Sequence, residues 1–107
     1  MKKTYDIAAY VWPAYTGDDL RARIFWNEGI GEWQSVKNAK ENSIHYKQEW
    51  YERWKNRKPL WGYVNEANHD VMEMQINCAY RHGVNVFIYD WYWYDDRPFL
   101  ENCLNDG

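Results

Sequence analysis

The sequence predicts an α/β fold, the opening portion of a larger parallel-stranded domain whose most economical closure is a barrel. Three observations predict it. Two runs, residues 5–12 and 84–90, are apolar on both faces; a helical pattern directly precedes the second; and the order strand, long insertion, helix, strand, helix is the alternation of a parallel sheet with crossover helices. Two such strands need more neighbours than these 107 residues supply, so the first two β/α units of a (β/α)8 TIM-type barrel, incomplete in this chain, are expected.

In the first run Ile7, Ala9 and Val11 alternate with Ala8, Tyr10 and Trp12, and Pro13 closes it. Residues 14–58 show little periodicity. Thr16-Gly17-Asp18-Asp19 is turn-like, Gly29 and Gly31 flank a tight segment, and loops this long in a compact domain are usually functional or disordered, with the Trp content against disorder. Tyr46, Trp50, Tyr51 and Trp54 recur at helical steps, which allows a turn or two of helix between residues 43 and 57. A firmer helix is expected over 69–82: Asp70 and Glu73 form a reciprocal cap, Met72, Ile76, Ala79 and Tyr80 make the apolar stripe, and Gly83 supplies the left-handed stop. After the strand at 84–90, Pro98 is expected to open a second helix with Phe99, Leu100, Cys103 and Leu104 on one face.

Composition narrows the function classes. Eight Trp, ten Tyr and three Phe would overfill a core of this size if all pointed inward, so several rings must face a groove, a partner or further sequence. The net charge of −3 offers no basic stripe, which argues against nucleic acid. No window approaches 18 consecutive apolar residues, so no membrane span is expected. Lys2 and Lys3 are followed by Thr4, Tyr5 and Asp6 where an apolar stretch would begin, so no export signal is read, and localisation is left open should the start be truncated. Cys78 and Cys103 have neither metal nor redox spacing; small buried thiols are expected, with a disulfide between helices as the alternative. His45, His69 and His82 are too scattered for a metal set, and no phosphate loop or nucleophile turn is present, so no metal and no cofactor is expected.

The most informative segment runs from Val84 through Asp90 to Tyr94, where an apolar strand passes directly into a carboxylate surrounded by rings. In parallel α/β folds ligands gather at the carboxyl ends of the strands, here Tyr10 and Trp12 on one and residues 89–94 on the other. Strand alternation sends Phe87, Tyr89 and Trp91 one way and Val86, Ile88 and Asp90 the other; with Val86 and Ile88 toward the helices, Tyr89 and Trp91 face the interior. Aromatic platforms beside carboxylates suit a flat, hydroxylated ligand such as a sugar, with apolar C–H faces and polar edges. Glu32 and Asp90 are the acids nearest that description, and each also fits a turn or cap.

The wording of the sequence at this point resembles a known group. Ala9-Tyr10-Val11-Trp12-Pro13, Gly31-Glu32-Trp33-Gln34-Ser35-Val36-Lys37-Asn38, Pro59-Leu60-Trp61-Gly62-Tyr63, Val71-Met72-Glu73-Met74-Gln75 and the strand ending in Asp90-Trp91-Tyr92-Trp93 together resemble the N-terminal part of glycoside hydrolase family 71/99-like domains, which include WbsX-like proteins. The resemblance implies that residues 1–107 are the N-terminal segment of a (β/α)8 barrel acting on an oligosaccharide or polysaccharide, mannan or a related glycan, by endo-acting, retaining hydrolysis of O-glycosyl bonds. It implies sugar contacts from Tyr10, Trp12, Trp33, His45, Asp90, Trp91 and Trp93, with Tyr89 beside them, and catalytic carboxylates on later strands, Glu32 and Asp90 being the only candidates here. Ile44 stands where the family has Gly before the histidine, and an expanded 47–54 segment follows, both of which bear on His45. Alone the chain should be inactive. The other readings are a non-catalytic glycan-binding or interaction module, and a truncated product whose exposed rings drive self-association or await the remainder of the barrel.

Overall fold

Strand β1 (Ala8–Val11) and strand β2 (Val86–Tyr89) pair in parallel, with Ala8 opposite Val86 and Val11 opposite Tyr89. The computed structural model describes residues 4–39 and 58–107. The expected helical turns within 43–57 lie outside the described residues. Both strands are shorter than the apolar runs that encode them because the ladder is continued at each end by other means. At the amino end the Asn85 side chain accepts from the Ile7 N–H at 2.7 Å and donates to Asp6 at 2.9 Å. At the carboxyl end the Asp90 N–H donates to the Val11 carbonyl at 3.1 Å.

Between the strands lie a 3-10 turn at Ala22–Ile24, helix α1 (Trp33–Asn38) and helix α2 (His69–Arg81). The long insertion is therefore not structureless over its described part. The expectation for α2 holds to within a residue at the C-terminus, where Gly83 adopts a φ of 94° and His82 bonds the Cys78 carbonyl through Nδ1 at 2.7 Å. Its start differs from the expected reciprocal cap. Asn68, in an extended conformation, accepts from the Asp70 and Val71 N–H groups, so the cap falls two residues earlier. The buried stripe also differs: Met72 is buried and Val71, Gln75, Cys78 and Ala79 are half-buried, whereas Ile76 and Tyr80 face outward. On the rotated stripe Gln75 turns in and donates to Glu66 Oε1 at 3.0 Å, so a polar residue occupies part of the inward face.

Pro98 does not open a helix. It lies in strand β4 (Arg97–Phe99), which pairs antiparallel with β3 (Tyr92–Tyr94), and the final helix α3 is confined to Asn102–Asp106. Asp95 and Asp96 turn this hairpin with φ of 55° and 57°, the left-handed pair a two-residue turn requires and short polar side chains tolerate. β4 is an edge strand, where a proline removes no ladder bond that matters. Phe99 and Leu100 form a core with Ala14 and Ala22, closed by Trp26 and Tyr92. Arg21 binds the hairpin to this core, donating to the Pro98 carbonyl and, at 2.9 Å, to the Tyr94 carbonyl, with its guanidinium 5.5 Å from the Phe99 ring centre.

The two faces of the parallel pair are unequal. Ala9, Val11, Phe87 and Tyr89 are half-buried, and the Tyr89 phenol meets Cys103, whose sulfur lies 3.8 Å from that of Met72 on α2. Tyr10, Val86 and Ile88 stay exposed. The helices thus cover the Phe87 and Tyr89 side and not the Val86 and Ile88 side, the reverse of the expected orientation. At the covered face the Tyr89 hydroxyl meets the Cys103 thiol. What the described residues show is a small α/β assembly built on a parallel pair.

Candidate functional site

One glycine folds the segment after β1 back on itself, bringing residue 32 against residue 14. Gly31 has a φ of 59°, and a Cβ there would stand 2.7 Å from the Ala14 carbonyl oxygen and 3.3 Å from the Gly17 backbone, so only glycine fits without displacement. That close approach lets the Glu32 N–H donate to the Ala14 carbonyl at 3.1 Å. It also sets Glu32 beside Trp12, whose indole Nε1–H donates to the Glu32 carboxylate.

Tyr92 completes the group. Its ring meets Trp12 edge-on, with centroids 5.5 Å apart and planes at 77°. Burial, and then the charges of Asp90 and Glu32, hold the Tyr92 phenol above its ordinary pKa. Tyr15 is pushed the same way by burial, then Glu32, then Glu66. Two carboxylates from different loops therefore act on one phenol at the carboxyl ends of both strands. Each phenol keeps its proton at neutral pH and can donate to an oxygen.

Two further ring groups flank this junction. Trp33 stacks on Tyr15 at 4.3 Å, meets Tyr63 at 5.1 Å and donates its indole N–H to the Val64 carbonyl at 2.8 Å. On the other side Trp91 and Trp93 lie 5.8 Å apart, each 59% exposed. Their position follows from alternation on the hairpin: Tyr92 packs against the core and Tyr94, though exposed, lies on the same side with its ring 5.4 Å from that of Phe99, which leaves the indoles on the other.

Of the residues expected at a site, Trp12, Glu32 and Asp90 are brought together, Trp33 adjoins them through Tyr15, and Trp91 and Trp93 form a separate exposed pair. Tyr89 is turned toward Cys103, and Tyr10 is 81% exposed on the open face of β1. His45 lies outside the described residues. Sequence reasoning missed Tyr15 and Tyr92; the alternation of the hairpin was the signal for Tyr92, and nothing local pointed to Tyr15. It also passed over His69, Asp70 and Glu73, whose ligand atoms lie within 4.8 Å of one another, all solvent-exposed on the first turn of α2. Cys78 and Cys103 are both free, and burial pushes the Cys103 thiol up to about 11. No described helix is long and apolar enough to cross a membrane.

The class the described residues define is a small α/β assembly on a parallel strand pair, with rings and carboxylates gathered at the carboxyl ends of the strands. The family model described as Glycosyltransferase WbsX matches residues 8–106, and the chain belongs to that carbohydrate-active family. No curated protein and no solved structure matches it.

Proposed function

We propose that residues 1–107 are the N-terminal portion of a (β/α)8 barrel and contribute the glycan-binding rim of its active site. The full domain, in this reading, hydrolyses O-glycosyl bonds of mannan or a related glycan in endo fashion. The observation that carries the proposal is the junction of Trp12, Glu32, Asp90 and Tyr92 at the tips of two parallel strands. Indole faces accept the C–H side of a pyranose, while carboxylates and a protonated phenol meet its hydroxyls, so one ring is held on both its apolar and polar aspects. Trp91 and Trp93 extend the platform to a neighbouring sugar, and Tyr10, Trp33, Tyr89 and His45 are assigned to the same rim.

Glycosidase chemistry needs a carboxyl pair at a set spacing, one protonating the leaving oxygen and the other attacking or activating water. Glu32 already accepts the Trp12 N–H, so one of its carboxylate oxygens is occupied within the protein. Glu32 and Asp90 are therefore given binding roles, with the catalytic pair on later strands. The same occupied carboxylate favours a second reading, a non-catalytic glycan-binding module.

Calorimetry of the intact protein with mannose-containing oligosaccharides tests the rim. Trp91→Ala is expected to weaken binding by about 1–3 kcal/mol, the range for stacking on an aromatic side chain, and an unchanged affinity refutes the assignment. Reducing-end release, measured beside transfer from an activated sugar to an acceptor, separates hydrolysis from the transfer named in the family description. Binding with neither product supports the module.

A further inference from the structure

Lys37, near the end of α1, and Lys58 both converge on the ring of Tyr63, their ammonium groups 4.5 Å and 5.8 Å from its centroid. The two charges thus stand no farther apart than the sum of those distances. No carboxylate among the described residues is within ion-pair distance of either. Holding two like charges on one ring is unfavourable by itself, and the ring quadrupole offsets only part of that cost.

Directly beside them is a cavity of about 310 Å³ lined by Trp33, Leu60, Trp61, Val64, Glu66 and Gln75, among others. Its size is at the lower end of small-ligand clefts, about 300–1,000 Å³. Tyr63 is continuous with the lining through Gly62 and Val64, and Lys58 lies against Gly62, with Cε 3.9 Å from where a Cβ would stand. The indoles of Trp33 and Trp61 give the cavity ring-bearing walls, and Glu66 and Gln75 give it a polar end. Burial raises the Glu66 carboxyl above its usual range, against the opposing Gln75 hydrogen bond, so the acid in the lining is pushed toward its neutral form.

Apolar walls of ring size beside two cations that no described carboxylate pairs are complementary to a sugar that carries an anionic substituent. We propose that this cavity is a subsite for an anionic sugar residue, its ring against Trp33 and Trp61 and its carboxylate, sulfate or phosphate ester directed to the Tyr63 side, where Lys37 and Lys58 converge. The assignment rests on the glycan reading above and names the substrate class within it. It also gives an acidic chain, net charge −3, a local attraction for an acidic polymer.

The test is calorimetry of the intact protein with oligosaccharides matched in length: neutral, uronate-bearing, sulfated and phosphorylated. At low ionic strength the wild type should bind at least one acidic form about tenfold more tightly than the neutral one, the scale of a charge-assisted contact. The preference should fade as salt is raised. The arm that binds best identifies the anion. The double variant Lys37→Gln/Lys58→Gln should lose the preference while neutral binding stays within about twofold, and Lys37→Arg/Lys58→Arg should restore it. Equal affinity for neutral and acidic forms, or a preference that survives in the Gln variant, overturns the subsite and leaves the rim intact. Failure to bind any oligosaccharide overturns both.

Discussion

Replacing Gly31 with alanine is the sharpest test of how the candidate site is built. The new Cβ would lie 2.7 Å from the Ala14 carbonyl oxygen and 3.3 Å from both the Gly17 N and O, in a backbone with φ of 59°. The left-handed conformation costs a non-glycine residue about 1–2 kcal/mol. Relieving a contact with backbone atoms on both sides adds about 1–2 kcal/mol, since no flexible side chain can yield. The sum, about 2–4 kcal/mol, is a large share of the total stability of a domain this size. With a urea m-value of about 1–3 kcal/mol/M, the unfolding midpoint should fall by about 0.7 M or more. Any relaxation must also lengthen the bond from the Glu32 N–H to the Ala14 carbonyl, so oligosaccharide affinity should fall in the protein that remains folded. A midpoint shift below about 0.2 M with unaltered affinity would show that Gly31 does not set the approach of Glu32 to Ala14.

Other outcomes follow from single contacts. Asn68→Ala should cost about 1 kcal/mol in urea unfolding as the cap of α2, and Asp70→Ala distinctly less, because Asn68 and not Asp70 accepts the first-turn N–H groups. Arg21→Ala should cost about 1.5–3 kcal/mol, releasing its carbonyl contacts on the hairpin. The Cys103 thiol is raised from 9.0 to about 11 in the folded protein, so its contribution is fully present below pH 9 and is lost as pH rises through 11. The loss is at most about 2.7 kcal/mol, read as the difference in pH-dependent stability between Tyr89→Phe and Tyr89→Phe/Cys103→Ala, a pair that removes Tyr89, which is coupled to the thiol, and cancels the slopes of Tyr15 and Tyr92. Equal slopes in the two proteins would refute the burial of that thiol.

The parallel pair and α2 were legible in the sequence because each carries a long-range instruction in a local pattern. Continuous apolarity marks β1 and β2, and Asn68 to Gly83 carry both helix-ending signals, although the choice between Asn68 and Asp70 as cap depends on backbone conformation and not on residue type. The orientation of β2 was not legible, since a strand apolar on both faces presents no contrast, and the covered side is marked only by partners distant in sequence, Cys103 against Tyr89 among them. The hairpin was misread for a similar reason. Pro98 suits both a helix start and an edge strand, and only the ability of Asp95 and Asp96 to adopt positive φ favours the second. At the site, Trp12 and Asp90 followed from the strand-end rule, whereas the meeting of Glu32 with Trp12 depends on a close approach at Gly31 that no periodicity encodes.

The hydrogen bond between Ile7 and Asn85 closes 78 residues of chain, and β1 and β2 meet nowhere nearer in sequence. Confining a loop of that length costs about 4 kcal/mol of chain entropy before any ladder bond is made. Helix α2 can form from neighbours alone, but the strand tips cannot meet until that closure occurs, so the Trp12 and Asp90 loops are assembled late and together. A molecule bridging the two tips would bind only the closed form and would slow its opening, which makes occupancy of the rim and persistence of the fold a single equilibrium.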